Sequence, residues 1–537
     1  MSVAPLPTDR AELLARLAGS ADFDVAIVGG GATGLGVALD AAARGFRVVL
    51  IEDGDFARGT SSRSTKLVHG GVRYLAQGNL SLVREALRER TILLRNAPHL
   101  ARPIPFVMPS YKVWEAPFYG FGLKLYDALA AEASLGDTRF LGRRDTLDAI
   151  PNVRAQGLRG GVQYWDGQFD DARLAIALAR TAATRGALLL NRVGLTCFDH
   201  DADRVVGLQC IDHETGRPYA IRAACVINAT GVWVDTVRGI DAQAAGRAVR
   251  PTVSPSQGVH IVVDRDFLPG DHALLVPRTE DGRVLFAVPW LGKTLIGTTD
   301  TPQATASFEP RAQHDELAFL LRESARHLDR APAVTDIRSI WVGLRPLLRP
   351  ASEPDASGKV ATRTISREHA VMISPSGLVT VTGGKWTTYR SMAEDVLEHC
   401  ARNGLLEHRP AGVTRALPMV GGGATPGALR PLSDAPGSHL YGDEVDLLAG
   451  LPGADHQLIP GLTEAMVRFA ARFEYARTVE DVLARRSRLL FLDANAARRV
   501  APEVARILTQ ETGLDPALAA FEVLGARYAD PLSTDRA

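Results

Sequence analysis

Three glycines at fixed spacing are the first residues that could do chemistry. Gly29, Gly31 and Gly34 follow an apolar, β-branched run at 23–28 and precede a helical stretch of small residues. A second apolar run at 47–51 then ends on Glu52. A dinucleotide site has this pattern of strand, glycine turn, helix, strand and acid. In such a site the pyrophosphate binds at the helix N-terminus and the carboxylate binds the ribose hydroxyls. The alternative is a glycine-rich structural turn, and the complete context favours the dinucleotide.

A run of hydroxyl side chains follows this unit. Residues 59–66 read Gly-Thr-Ser-Ser-Arg-Ser-Thr-Lys and lead into Leu-Val-His-Gly-Gly-Val-Arg-Tyr-Leu at 67–75. A solvated loop can have the same composition. Because this loop comes directly after the βαβ unit, we expect it to reach the pyrophosphate and the ring edge of a bound flavin.

Three cations in the second half of the chain form another candidate group. Arg345 is followed by a proline and an apolar pair, Arg367 lies in a Thr-Ile-Ser-Arg-Glu-His segment, and Lys385 follows a β run and the pair Gly383-Gly384. Each could be an ordinary surface charge. A dianionic phosphate needs several cations, however, and arginine offers bidentate geometry. The three are therefore candidates for binding an anionic substrate.

The run TSSRSTKLVHGGVRYL at 60–75 closely resembles the flavin-dependent, quinone-linked glycerol-3-phosphate dehydrogenases. Their relatives are the wider glycine-oxidase and amino-acid-oxidase group of flavoproteins. The segments around the three cations are similar to the same family, and the resemblance covers about residues 21–525.

The resemblance implies an FAD enzyme that oxidises sn-glycerol 3-phosphate to dihydroxyacetone phosphate. Hydride would pass from C2 to flavin N5, and the electrons would go on to a membrane quinone. The substrate contacts that it implies are Arg73, Tyr74, Arg345, Arg367 and Lys385. The catalytic candidates are Arg345, Lys385, His69 and His260. The sequence leaves open whether His69, His260 or a water accepts the proton of the C2 hydroxyl.

The cofactor contacts implied by the same match lie in five segments, and no metal site is expected. They are Gly29, Gly30, Gly31, Thr33, Gly34 and Glu52; Thr60, Ser61, Ser62, Ser64, Thr65 and Lys66; His69, Gly70 and Gly71; Ala229, Thr230 and Gly231; and Gly383, Gly384, Lys385 and Thr387.

Three alternative functions stay open at this point. An oxidase that uses oxygen on glycerol 3-phosphate or an amino acid would also need Arg345, because a carboxylate binds arginine as well. A flavin-binding sensor or assembly protein would bind FAD without turnover. A nicotinamide enzyme would need only the glycine fingerprint, and the hydroxyl loop and the glycine–lysine motif disfavour it.

The elements that must position these residues indicate a mixed α/β and α+β chain. We predict an N-terminal arm (1–20), a Rossmann-like FAD-binding domain in three pieces (about 21–110, 155–235 and 340–400) and an antiparallel-sheet substrate domain interleaved with it (about 111–154 and 236–339). A linker (401–460) and a helical C-terminal domain (461–537) follow. The proline-rich segment 96–109 predicts a loop or edge strand. Arg485, Arg486 and Arg488 are expected late in one helix, where its dipole favours cations.

Composition restricts partners and location. Lys plus Arg and Asp plus Glu number 61 each, so net charge predicts no nucleic-acid partner. Four cysteines without a C-x-x-C pair are expected to be buried thiols in a reducing compartment. No run reaches the roughly 20 apolar residues of a membrane span, and the N-terminus lacks the apolar centre of a signal peptide. We expect a cytoplasmic protein, peripheral on the inner face of the cytoplasmic membrane, and homo-oligomers stay open.

The segment 111–134 concentrates aromatic side chains together with Lys112 and Lys124. One interpretation is a buried aromatic cluster. The other is an interfacial patch whose rings and basic side chains lie at lipid headgroups. The family resemblance favours the patch, because such enzymes deliver electrons to a membrane quinone.

Overall fold

The computed structural model describes residues 5–20, 22–71, 79–130, 133–244, 246–349, 369–423 and 429–530. Three predicted substrate contacts, Arg73, Tyr74 and Arg367, lie outside the described residues.

The strands, in chain order, are β1 (Phe23–Val28), β2 (Val48–Glu52), β3 (Leu67–Val68), β4 (Ala101–Ser110), β5 (Arg139–Gly142), β6 (Gly160–Phe169), β7 (Leu188–Asn191), β8 (Val193–Asp201), β9 (Arg204–Asp212), β10 (Pro218–Asn228), β11 (Val253–Asp264), β12 (Ala273–Val276), β13 (Leu285–Trp290), β14 (Lys293–Gly297), β15 (Thr301–Pro302), β16 (Ser339–Leu348), β17 (His369–Ile373), β18 (Val379–Gly383), β19 (Gln457–Ile459) and β20 (Leu462–Thr463).

The α-helices are α1 (Arg10–Gly19), α2 (Ala32–Ala43), α3 (Leu80–Asn96), α4 (Glu115–Ala130), α5 (Arg143–Ala149), α6 (Asp171–Thr184), α7 (Val234–Ala244), α8 (His314–His327), α9 (Tyr389–Arg402), α10 (Val445–Ala449), α11 (Glu464–Phe473), α12 (Leu489–Leu492), α13 (Ala494–Thr512) and α14 (Leu518–Ala529). Short 3-10 turns include Thr60–Ser62, Gly231–Trp233 and Trp386–Thr388.

A parallel sheet forms the centre of the first domain. Its strands run in the order β18, β10, β1, β2, β7, all parallel, and β17 pairs antiparallel with β18 at the edge. Residues 25–28 of β1 pair with 48–51 of β2 on one side and 225–228 of β10 on the other. These strands are apolar along their length because helices cover the sheet, and α2 packs against both α6 and α9.

A second, largely antiparallel sheet forms the other domain. Its order is β15, β11, β14, β13, β12, β4, β6, β3, with β16 paired to β11 and β5 to β6. Helix α8 covers it and contributes Leu317, Phe319 and Leu320 to a separate core. Because β3 pairs with β6, the hydroxyl loop at 59–66 crosses from the parallel sheet to the edge of this second sheet. The predicted fold class, two interleaved α/β and α+β parts with a helical C-terminal region, is confirmed.

The proline-rich segment is a central strand. β4 pairs over its whole length with β6, and at Phe106 and Val107 with β12. The expectation of a loop or an edge strand is therefore wrong. The positions of Pro103, Pro105 and Pro109 differ by two and by four, so all three prolines lack an N–H donor on the same side of the strand. The ladder on the other side keeps its donors.

The C-terminal helices pack directly on the first domain. Leu417, Met419 and Leu432, from the segment predicted as a linker, share one buried core with Phe469 of α11 and with β1 and β2. The exact domain boundaries stay a prediction.

Two of the three late arginines lie in the last turn of a helix, as expected, and Arg488 lies just beyond it. Arg485 and Arg486 lie on a π-helical turn, Asp481–Arg486, and both ion-pair with the buried Asp55. Arg488 follows that turn with a left-handed φ of 64° and is completely buried. These cations therefore pair with buried carboxylates from other segments, in addition to lying at or just beyond a helix end.

Two composition-based expectations can be compared with the structure. Cys210, Cys225 and Cys400 are buried thiols, but Cys197 is exposed, so the expectation of four buried cysteines is wrong for that residue. Among the described residues, no helix combines the length and apolar character that crossing a bilayer requires.

Candidate active site

The carboxyl ends of the parallel strands bring the predicted cofactor segments to one edge of the sheet. The turns after β1, β2, β10 and β18 carry the segments at 29–34, 52, 229–231 and 383–387. Ala229 N–H donates to Val28 O at 2.9 Å, and the Thr382 hydroxyl donates to Gly231 O at 3.3 Å. β1 and β10 lie side by side where the strand order reverses, which is the position at which open α/β sheets bind their ligands.

The N-terminus of α2 is shaped for an anion. A Cβ at Gly34 would overlap the carbonyl oxygen of Gly29, so glycine allows the helix to lie close to the strand. The helix has no side-chain cap from its N-cap residue; Ser61 Oγ, from the hydroxyl loop, accepts from Ala32 N–H at 2.9 Å. The N-terminal dipole and N–H groups of α2 are thus directed to the site. Thr33 lies in the same turn.

Glu52 closes the turn from the next strand. Its Oε2 accepts from Gly30 N–H at 2.6 Å and its Oε1 from Gly54 N–H at 2.9 Å. Burial raises the pKa of this carboxyl, and the two backbone donors oppose that rise. The carboxylate therefore lies beside the glycine turn, where the fingerprint predicts a ribose contact.

The turn after β18 joins three predicted segments. Gly383 and Gly384 have φ values of 81° and 73°, which glycine adopts at no steric cost, and Lys385 precedes the 3-10 turn Trp386–Thr388. Trp386 Nε1 donates to Ser61 O at 2.9 Å, and Thr387 Oγ1 donates to His69 O at 3.4 Å. These hydrogen bonds therefore bring together three predicted segments: the glycine–lysine motif, the hydroxyl loop and the His69 segment with Gly70 and Gly71.

The substrate lobe contacts the hydroxyl loop from the opposite side. Thr60 Oγ1 donates to Leu344 O on β16 at 2.6 Å. Thr65 Oγ1 lies 3.0 Å from His260 Nε2 on β11. The loop thus connects the cofactor edge of one sheet to the face of the other.

His260 is held in one orientation and kept neutral. Its side chain is buried, and its ring stacks on Trp341 with centroids 4.2 Å apart and planes 20° apart. Burial lowers the pKa of His260 well below its ordinary value, and the positive charges of Lys66 and Arg345 lower it further. The imidazole is therefore in the neutral form that a base requires, although burial and the two cations disfavour its protonated form.

Arg345 lies next to this histidine. Its Nη2 donates to Thr298 Oγ1 at 3.2 Å and to Thr299 O at 3.1 Å, and its Nη1 lies 3.6 Å from Asp300. A Cβ at Gly258 would overlap the guanidinium, so the neighbouring strand makes room for it. The side chain is 24% exposed, so the cation is both oriented and accessible to an anion.

Lys66 and Ser64 of the hydroxyl loop direct their polar atoms to the interior. Lys66 Nζ lies 2.7 Å from both Asp171 Oδ2 and Ser62 O, and Ser64 Oγ donates to Asp171 Oδ2 at 2.7 Å. Burial lowers the pKa of Lys66 to about 7, although the Asp171 charge opposes this. The cofactor contacts predicted for these two side chains stay a prediction, and the observed contacts hold the loop from within.

Asp171, Thr298 and Arg488 have places in this arrangement that sequence reasoning missed. Asp170 and Asp171 stand at the start of α6, where an acid is an ordinary helix cap, and Asp170 does cap α6 by accepting from Arg173 N–H. Thr298 follows a strand in a run of hydroxyls that resembles many turns. Arg488 had no distinguishing signal, because its partners are more than 300 residues away in the chain.

Comparison with known proteins identifies the family. The model of the FAD dependent oxidoreductase family matches residues 24–390, and that of the C-terminal domain of alpha-glycerophosphate oxidase matches residues 413–519. The mitochondrial glycerol-3-phosphate dehydrogenase SDP6 of Arabidopsis thaliana is 39% identical over 95% of this chain and 86% of its own length. The human mitochondrial glycerol-3-phosphate dehydrogenase is 38% identical over 95% of this chain and 73% of its own. The chain belongs to the glycerol-3-phosphate dehydrogenase family of FAD-dependent oxidoreductases.

Solved structures agree with that family. The glycerol-3-phosphate dehydrogenase from Bacillus halodurans, complexed with FAD, matches with a TM-score of 0.77 and 29% identity, over 98% of this chain and 99% of that one. Glycine oxidase from Geobacillus kaustophilus shares the fold, with a TM-score of 0.52 and 22% identity over 72% of this chain and 96% of its own. The predicted membership of the glycerol-3-phosphate dehydrogenase family and the predicted cofactor, FAD, are confirmed, and the fold is shared with glycine oxidase.

The residues of this glycerol-3-phosphate dehydrogenase family member fit FAD. A Cβ at Gly231, whose φ is 61°, would enter open space beside the β1–α2 turn. Gly31 has only the Ser61 hydroxyl near its missing side chain. An ADP moiety requires backbone N–H groups at a helix N-terminus, an acid at the end of the next strand and open space beside the turn. Helix α2, Glu52 and Gly231 provide these three features. Among the described residues, no group of three His, Cys, Asp or Glu side chains is arranged to hold a metal ion.

Proposed function

We propose that this chain oxidises sn-glycerol 3-phosphate to dihydroxyacetone phosphate and passes the electrons to a membrane quinone. The observation that carries the substrate proposal is the juxtaposition of Arg345 and neutral His260 beside Thr65 of the hydroxyl loop. An anion-binding cation and a proton acceptor then lie together at the cofactor edge. The names and structures of the relatives support the same reaction.

The phosphate is bound by Arg345 and Lys385, together with Arg367, Arg73 and Tyr74. Arg345 is oriented by Thr298 and Asp300, so its guanidinium loses little freedom when an anion arrives. Lys385 adds a second cation from the turn after β18.

The proton of the C2 hydroxyl passes to His260. FAD, when bound, supplies the hydride acceptor for the C2 hydrogen. His260 is held by stacking on Trp341 and by Thr65. The side chain of His260 is therefore a positioned base, and Arg345 stabilises the negative charge that develops at the substrate oxygen.

An exposed apolar patch supports membrane contact. It consists of six side chains on and beside α4: Val113, Trp114, Phe118, Phe121, Leu125 and Phe140. Lys112 lies over the Trp114 ring, 5.8 Å from its centroid. Rings exposed together with basic side chains are typical of a helix that lies in the headgroup region. Together with the family resemblance, this patch supports our proposal that the protein lies peripherally on the inner face of the cytoplasmic membrane.

The helix that bears this apolar patch is tied to the flavin segment. Tyr126 of α4 donates to Asp166 Oδ2 at 3.2 Å, and Gly70 N–H donates to Asp166 Oδ1 at 3.3 Å. A quinone that reaches the protein from the membrane beneath α4 would thus arrive close to the predicted flavin contact at Gly70.

An anaerobic absorbance spectrum of the purified holoprotein tests the reaction. The flavin band should bleach on addition of sn-glycerol 3-phosphate and not on addition of glycerol or amino acids. Oxygen consumption under air should be slow compared with reduction of a soluble quinone analogue. A flavin band that sn-glycerol 3-phosphate leaves unchanged would contradict the substrate, and rapid oxygen consumption would contradict the quinone acceptor.

The proton acceptor is tested by two matched variants. His260→Asn should lower the limiting rate of flavin reduction by about 100-fold or more, a typical contribution of general base catalysis. His69→Asn should have the smaller effect. Equal rates for the His260→Asn variant and the wild type would remove this histidine from the mechanism.

A further inference from the structure

A completely buried cluster of four charges lies behind the hydroxyl loop. Its members are Lys66, Asp170, Asp171 and Arg488, each with no exposed side-chain surface. Lys66 Nζ lies 2.7 Å from Asp171 Oδ2, Arg488 Nη2 lies 3.1 Å from Asp171 Oδ1, and Arg488 Nε lies 3.4 Å from Asp170 Oδ1. Two cations thus face two carboxylates, and three distant segments of the chain supply them.

The balance of this cluster depends on the C-terminal region. Buried charges are tolerated when they are paired, and removal of one partner leaves the others uncompensated. Without Arg488, Lys66 would remain as the ion-pair partner of Asp171. Asp170 would keep only the electrostatic influence of Lys66 and Arg173. The C-terminal helices therefore supply a charge that the hydroxyl loop needs, in addition to apolar packing.

Arg488 also holds the loop directly. Its Nη2 donates to Ser62 O at 2.8 Å, and Lys66 Nζ donates to the same oxygen at 2.7 Å. The preceding residue, Ser61, contacts both the N-terminus of α2 and Trp386. The position of Ser62 therefore determines how the cofactor-facing part of the loop meets both strand ends.

The cluster reaches the proposed proton acceptor through one aromatic ring. Lys66 Nζ lies 4.6 Å from the centroid of the Trp341 ring, and the same ring stacks on His260. Thr65, the neighbour of Lys66, contacts His260 Nε2. Displacement of Lys66 would therefore change both the position and the electrostatic surroundings of His260.

We infer that Arg488 is a positioning residue for flavin reduction, because with Asp171 it holds Lys66 and the hydroxyl loop in register with His260. This inference rests on the function proposed above. Arg488 touches neither substrate nor the reacting atoms; it acts through the loop. The helical C-terminal region is then part of the reaction machinery of the FAD domain.

The test compares Arg488→Met with Arg477→Met. Arg477 is a matched control, because it also belongs to the C-terminal region and pairs with Glu214 of the FAD domain, but it has no contact with the hydroxyl loop. In the FAD-free protein, hydrogen exchange of a peptide covering residues 59–68 should be at least tenfold faster in Arg488→Met than in Arg477→Met. In the holoprotein, the limiting rate of flavin reduction should fall at least tenfold, with the half-saturating substrate concentration changed less than threefold.

A pH profile separates positioning from general destabilisation. The charges that face Lys66 are Asp170, Asp171 and Arg488, and those that face His260 are Lys66 and Arg345. Because the Lys66 charge disfavours a protonated His260, Lys66→Met should raise the histidine pKa and move the acid limb of flavin reduction to higher pH. Arg477→Met should keep the wild-type profile.

Each outcome decides the inference. If Arg488→Met yields no folded holoprotein, Arg488→Lys takes its place. Lysine keeps the buried charge but cannot span Ser62 O and both carboxylates, so the limiting rate of flavin reduction should fall at least fivefold. Wild-type exchange and rate in the Arg488 variants, or a wild-type pH profile in Lys66→Met, would overturn the positioning role. A wild-type protein that sn-glycerol 3-phosphate does not reduce would instead overturn the proposed function, and the exchange experiment would still decide whether Arg488 holds the loop.

Discussion

Replacing two exposed rings of the apolar patch, Phe118→Ser together with Phe121→Ser, should release the protein from membranes. The two side chains are 66% and 77% exposed. Leu123 and Tyr126, on the buried side of α4, hold the helix on the domain. The double variant should therefore keep its fold and lose only what the rings contribute to lipid contact.

The size of the effect follows from exposed area. A phenylalanine side chain presents about 200 Å². If half of the exposed part of each ring leaves water, roughly 70 Å² per ring at ~25 cal/mol/Å² contributes about 1.8 kcal/mol. The two rings together would contribute about 3.5 kcal/mol, which corresponds to roughly a 300-fold change in partition coefficient.

Sedimentation with lipid vesicles measures this partition. Vesicles of phosphatidylcholine alone, and vesicles that also contain about 30% phosphatidylglycerol, should bind the wild type to a similar extent, because the net formal charge of the chain is zero. Val523→Ser is the matched control, since Val523 is 57% exposed on α14, outside the patch. Reduction of flavin by substrate in solution should be unchanged in the double variant. Equal vesicle binding by the double variant, the control and the wild type would refute the assignment of this patch to the membrane.

Three further predictions concern the site and its support. Arg345→Lys should raise the half-saturating concentration of sn-glycerol 3-phosphate in anaerobic flavin reduction by roughly 10- to 100-fold, because lysine cannot form two parallel hydrogen bonds to a phosphate. An unchanged half-saturating concentration would contradict phosphate binding by Arg345. Gly34→Ala should lower both the FAD content and the melting temperature, because its methyl group would overlap a carbonyl of the neighbouring turn, and a wild-type melting curve with full FAD would contradict this packing. Asp55→Asn should lower the free energy of unfolding by about 3–5 kcal/mol, because it removes the carboxylate that pairs with Arg486 and one of those that pair with Arg485. Urea unfolding measures this, and a wild-type midpoint would show that the ion pairs contribute little.

Much of the first domain could be predicted from the sequence. The turn at Gly29–Gly34 and the acid Glu52 need only a local pattern, since strand, glycine turn and helix are determined by backbone geometry over about thirty residues. The observed β1 coincides with the predicted run at 23–28. His260 and Arg345 were found because their surroundings resemble a known family, and the structure then brought them together with Thr65.

Burial and charge pairing could not be predicted in the same way. The proline-rich segment became the central strand β4 because its missing donors all lie on one side, which matters only once β6 and β12 are in place. Lys66 could have been a cofactor contact or a buried ion until Asp171 and Arg488 surrounded it. The sequence by itself determined the local turn geometry, the family and the set of chemical groups. Only the tertiary structure decided which charges meet, because electrostatic pairing depends on distances of a few ångströms between residues hundreds of positions apart.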